Sequence, residues 1–95
     1  MRIPENIKIY GILYSIELVE DKDCRGNQGS CWTKNSYIKI NKTLQQDVQE
    51  EALIHEIIHI IVDINNLNDM PITEQVVSTI GAAVHQVLTD NNLFN

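Results

Sequence analysis

The sequence predicts an α+β fold: a small antiparallel β-sheet of three or four strands over residues ~7–41, then two antiparallel helices at ~44–64 and ~72–90. Three observations carry this. Ile7, Ile9, Ile12, Tyr14, Ile16 and Leu18 form a near-alternating apolar series, which a strand places on one face. From Ala52 to Val62 every residue is aliphatic except His55, Glu56 and His59. Val76, Val77, Ile80, Val84, Val87 and Leu88 then recur at helical spacing and make one apolar face.

Taken in order, Gly11 marks a tight turn between a short first strand and a longer second one. The run from Glu20 to Gly29 is polar and glycine-containing, and is expected to be the most mobile connection. Ser30 to Thr33 and Tyr37 to Ile40 read as two further strands around a turn at Lys34, Asn35 and Ser36. Thr43 and Gln46 fit a capping box, in which the Thr side chain accepts a backbone N–H and the Gln reaches back to the cap residue. The first helix should therefore run from about Leu44 to Ile64 and stop at Asn65 and Asn66. A short loop leads to Pro71, which suits a first helical turn, and Thr73 can cap the second helix. Gly81, Ala82 and Ala83 would let that helix approach another backbone closely. The short loop implies antiparallel packing of the pair.

Ninety-five residues fit one domain, residues 1–95, with a real core. A formal charge of −6 and a pI near 4.8 argue against a phosphate-binding surface, so no nucleic-acid role is expected. The N-terminal residues from Met1 to Asn6 lack the apolar core of a signal peptide, and His59 and Asp63 interrupt the longest apolar runs. The expectation is a soluble cytoplasmic protein without a membrane segment. Cys24 and Cys31 are too few for a disulfide scaffold and are read as reduced thiols.

The chemistry lies in His55-Glu56-Ile57-Ile58-His59. A segment this aliphatic should be buried nearly all round, and polar side chains in a dry interior are costly unless something satisfies them. A metal ion would. On an α-helix His55 and His59 stand about 40° apart and roughly 6 Å along the axis, so their imidazoles can converge on one ion. Glu56 sits about 60° around from His59, beside the ligand pair, where a general base must stand. Ala52, one turn before Glu56, leaves space for substrate or water. Asp63, one turn after His59, is placed to accept a ring N–H and fix the tautomer of a liganding His.

A catalytic zinc usually takes three protein ligands and keeps one open position. Beyond His59 the remaining candidates are Asp63, Asp69, Glu74, His85 and Asp90. Glu74, in the first turn of the second helix, can face back toward His59 and is favoured, although it lies at the edge of the apolar face. Ser78 and His85 share that edge. His85 is about 16 Å beyond Glu74 along the axis and is read as structural or exposed. Tyr10, Tyr14 and Tyr37 are read as sheet packing, with one of them a possible donor to the site, and Trp32 as core or hairpin packing.

His55-Glu56-x-x-His59 on a helix, followed fifteen residues after His59 by Glu74 on a second helix, resembles the gluzincin arrangement of zinc peptidases. With its small size, β-rich start and the ending from Gln86 to Leu93, the chain looks like short zincin-like proteins encoded by phages and prophages of Gram-positive bacteria. These are similar to the ImmA/IrrE group of metallopeptidases. The resemblance implies zinc held by His55, His59 and Glu74, with Glu56 as the catalytic base. Larger members act on repressor-type regulators, which implies a peptide or protein substrate such as a transcriptional regulator. This chain is close to a minimal zincin core. The expected function is a zinc-dependent metallopeptidase-like hydrolase; the alternative is a non-catalytic regulatory or adaptor module with the same fold that binds a protein partner. Either could bind an extended peptide at a sheet edge by β-addition.

Overall fold

The computed structural model describes residues 3–91. Strands β1 (Asn6–Ile9) and β2 (Ile12–Val19) form a hairpin. Its two turn residues, Tyr10 and Gly11, have φ of 51° and 79°. Positive φ at both positions is what a two-residue turn needs to match the right-handed twist of its strands, and the glycine takes the second position without steric cost. Strands β3 (Gly29–Trp32) and β4 (Tyr37–Asn41) form the second hairpin.

The two hairpins join differently from the expected antiparallel sheet. The strand order is β1-β2-β4-β3, and β4 runs parallel to β2, with Ser15 opposite Tyr37 and Leu18 opposite Ile40. The sheet is therefore mixed. The cause is the connection after β2, which passes through a 3₁₀ turn at Asp21–Cys24 to the far edge before β3 begins. β4 then returns between β3 and β2. Of the two inner strands, β2 and β4, β4 is the drier, with Ile38 and Ile40 fully buried.

The Glu20–Gly29 connection, expected to be the most mobile, is tied to β4. Buried Asn41 donates from Nδ2 to Asp21 Oδ1 and to the Asn27 carbonyl, and Cys24 is buried beneath the turn. The same asparagine overturns the expected capping box. Its Oδ1 accepts from both the backbone N–H and the hydroxyl of Thr43, at 3.0 and 2.6 Å. Thr43 is thereby held back from the helix, and α1 runs Gln46–Ile64 with Gln45 as a cap that makes no side-chain bond. Gln46 turns forward to Glu50 instead. Gln49 secures the entry by donating to the carbonyls of Lys42 and Leu44.

The end of α1 falls at the two asparagines, as expected. Asn66 takes φ 56°, its N–H bonds the Asp63 carbonyl, and Leu67 N–H bonds the Val62 carbonyl. This paired closure satisfies the last carbonyls of the helix and turns the chain back. Helix α2 (Glu74–Asp90) starts at Thr73, whose hydroxyl accepts from Val76 N–H at 3.2 Å. Pro71 precedes the helix. The helices are antiparallel, since Glu74 meets His59, Gly81 lies on the His55 backbone and His85 reaches Glu50.

The core is one layer between the sheet and α1: Ile9, Tyr14, Ile38, Ile40, Ala52, Leu53 and Ile60. The expectation that α1 is buried nearly all round is corrected here. Only part of α1 is buried; Ile57, Ile58, Ile61 and Val62 are half-buried, because a single sheet covers one side and α2 only part of the other. In α2 only Val77 and Gly81 are buried, and the remainder of its apolar face is exposed. No helix among the described residues is long and apolar enough to cross a membrane. Asn92 and Leu93, in the C-terminal stretch noted above, lie outside the described residues.

Candidate metal centre

α1 and α2 bring three side chains to one point. His55 and His59, one turn apart on α1, place their Nε2 atoms 3.1 Å from each other. Glu74, in the first turn of α2, sets Oε1 2.6 Å from His59 Nε2 and Oε2 3.2 Å from His55 Nε2. The helix reversal at Asn65 and Asn66 and the Thr73 cap determine that Glu74 arrives opposite His59 rather than a turn higher.

The donor set suits a metal ion. Two imidazole nitrogens at 3.1 Å cannot both carry hydrogens toward each other, and the carboxylate between them offers only lone pairs. The other nitrogen of His55, Nδ1, lies 3.5 Å from the Ser78 hydroxyl. A proton on Nδ1 shared with Ser78 leaves the Nε2 lone pair facing the cluster. A tetrahedral site with bonds of about 2.0–2.1 Å has ligand–ligand edges of about 3.3 Å; the 3.1 and 3.2 Å separations lie close to this, and the 2.6 Å His59–Glu74 contact is shorter. His55, His59 and Glu74 could thus hold a metal ion.

Glu56 points to the sheet side of the same site. It is 7% exposed. Burial pushes its carboxyl above the ordinary range, while a hydrogen bond from the Cys31 thiol and the two nearby imidazoles pull against that without reversing it. Cys31 itself is pushed up to about 12, by burial first and then by the Glu56 carboxylate. Its thiol therefore keeps its proton at neutral pH and donates to Glu56. Gly29, two residues earlier on β3, makes the close approach possible: a Cβ there would stand 3.0 Å from the Lys39 carbonyl and 3.4 Å from Glu56 Cγ.

A cleft of about 630 Å³ opens over these groups. One wall is β3, through Gly29, Ser30 and Cys31; the other is α1 and α2, through Ala52, His55, Glu56, His59, Glu74 and Ser78. Because β3 is an edge strand, one side of its backbone is unpaired within the sheet. The structure thus brings together His55, Glu56, His59 and Glu74, with Ala52 at the cleft floor.

The other candidates go elsewhere. Asp63 is exposed, and its Oδ1 accepts from Asn68 at the end of α1. Contact with a ring nitrogen is made instead by Ser78, one turn after Glu74 and on the same edge of α2. His85 is structural: its Nε2 lies 2.8 Å from Glu50 Oε1 in a buried pair between the helices. Tyr14 is buried in the core, Tyr37 stacks on Trp32 at 4.6 Å, and Tyr10 is in the hairpin turn, where its hydroxyl accepts from Asn65. None of the three lines the cleft. Cys31 was not legible as a site residue, since its partner Glu56 lies in another element and no spacing links them. No known family profile, curated protein or solved structure matches the chain.

Proposed function

We propose that the protein is a zinc-dependent hydrolase of peptide bonds, of the gluzincin kind and similar to the small phage and prophage zincins of the ImmA/IrrE group. The observation that carries this reading is the convergence of His55, His59 and Glu74 on one point with a buried carboxylate, Glu56, on the next residue of the same helix. A carboxylate so placed beside a metal site is what activation of a bound water requires. Zinc held there would supply Lewis acidity toward a carbonyl and make a water more acidic.

The protein's own residues would do the remainder. Ser78 keeps the His55 proton on Nδ1, so that Nε2 stays a ligand. Burial makes Glu56 a stronger base than an exposed carboxylate, suited to taking a proton from water and returning it to a leaving amine. The Cys31 thiol holds one side of that carboxylate toward β3. The edge of β3 offers backbone donors and acceptors to an extended peptide laid along the cleft. A protein substrate such as a transcriptional regulator fits this surface, and two free thiols suit the cytoplasm.

The test is turnover of a peptide library by zinc-loaded protein beside Glu56→Gln. Cleavage by the first, with a loss of about 10²–10⁴-fold in the second at equal zinc content, is the expected outcome. Equal cleavage by both would remove Glu56 from the chemistry. Zinc binding without cleavage in either would favour the alternative, a zincin-fold adaptor.

A further inference from the structure

From Gln75 to Thr89, fifteen consecutive residues of α2, there is no Asp, Glu, Lys or Arg, in a chain with a net charge of −6. The one ionisable side chain in that stretch, His85, is turned inward onto Glu50. On the side away from α1, Val76, Ile80 and Val87 are 38, 47 and 42% exposed, with Val84 one turn after Ile80. A surface helix ordinarily turns charged residues to water. This one turns an apolar stripe.

The stripe has a second property. Val76, Ile80, Ala83 and Val87 follow one another at intervals of four, three and four residues, the 3.5-residue repeat of a coiled-coil seam. That spacing reads the same in both directions about a centre between Gly81 and Ala82. We propose that the protein is a homodimer in which α2 packs antiparallel against α2 of a second copy, across a twofold axis at that centre.

In this register Val76 meets the second copy's Val87, and Ile80 meets Ala83. The second pair sets a large side chain against a small one, the first sets two valines together, and the twofold repeats each pair. An isologous interface needs this kind of self-complementarity. Charge selects the antiparallel sense. The next pair outward sets Asp90 of each copy beside Thr73 of the other, at a helix N-terminus, where the dipole favours a carboxylate. A parallel pair would set Asp90 against Asp90. The flanking Gln75, Thr79 and Gln86 bring no like charges together, as two molecules of charge −6 require. Glu74 and Ser78 face α1, so the dimer leaves the cleft open and does not depend on its chemistry.

Sedimentation equilibrium tests this across roughly 1 µM to 1 mM, the span over which small interfaces associate. The wild type should reach twice its 10.9 kDa chain mass, while Ile80→Glu, Val76→Glu and Val87→Lys each stay at 10.9 kDa with unchanged far-UV circular dichroism. The double variant Val76→Glu/Val87→Lys should dimerise again, because the antiparallel register pairs the new carboxylate with the new ammonium twice. A wild type that stays at 10.9 kDa throughout overturns the proposal, as does a dimer that survives Ile80→Glu. Failure of the double variant to dimerise overturns the antiparallel register.

Discussion

His55 Nε2 and His59 Nε2 stand 3.1 Å apart, with the Glu74 carboxylate across both. A proton can join these groups only two at a time, whereas one metal ion can accept a lone pair from all three. Their stability should therefore follow metal. With zinc at a hundredfold excess over its Kd, linkage adds about 2.7 kcal/mol to unfolding. For a domain of this size that raises Tm by about 10 °C or more. Thermal melts with zinc and with EDTA measure it, and identical melts in wild type would argue against a bound ion.

Ser78 is expected to act on the metal through His55. Removing its hydroxyl with Ser78→Ala frees the imidazole to rotate and to exchange tautomers, which should weaken zinc binding by about tenfold. Competition against a chromophoric chelator reads this directly. An unchanged affinity would leave Ser78 as a bystander.

Gly29→Ala tests how the sheet meets the site. The added methyl would sit 3.0 Å from the Lys39 carbonyl, which is backbone and cannot step aside. Overpacking of this kind costs about 1–3 kcal/mol. Urea denaturation should show the loss while zinc stoichiometry stays at the wild-type value, because all three ligands lie on the helices.

The Glu50–His85 pair should govern acid stability away from the cleft. Burial works to raise the Glu50 carboxyl, but favourable partners, with His85 and then Gln46 the largest, hold the group below its ordinary 4.5. A depressed carboxyl contributes stability that is fully present above the ordinary value and is lost as pH falls through the folded one. His85→Ala leaves Glu50 buried without that partner, at a cost of about 3 kcal/mol near neutral pH. The difference between variant and wild type should narrow below pH 4.5, in urea titrations at stepped pH. A constant gap would contradict the assignment.

What could be read from the sequence follows from what each signal measures. Hydrophobic period and cap residues located both helices to within about two residues at their starts, and Thr73 together with the asparagine turn set Glu74 against His59. Thr43 misled because Asn41, two residues earlier, competes for its hydroxyl. Strand alternation tells which residues share a face and says nothing about which strands are neighbours, so the parallel pairing of β2 with β4 was hidden. The same limit hid Cys31 from Glu56. Helical spacing marked an apolar face on α2, but only the packed chain shows that α1 covers just one edge of it.

The metal centre is the claim on which the proposed chemistry rests, and elemental analysis tests it most directly. Protein prepared with zinc and passed through a weak chelator should hold one zinc per chain, while Glu74→Ala and His59→Ala should hold none. A wild type without zinc, or a Glu74→Ala variant that keeps a full equivalent, would contradict the centre assigned to His55, His59 and Glu74.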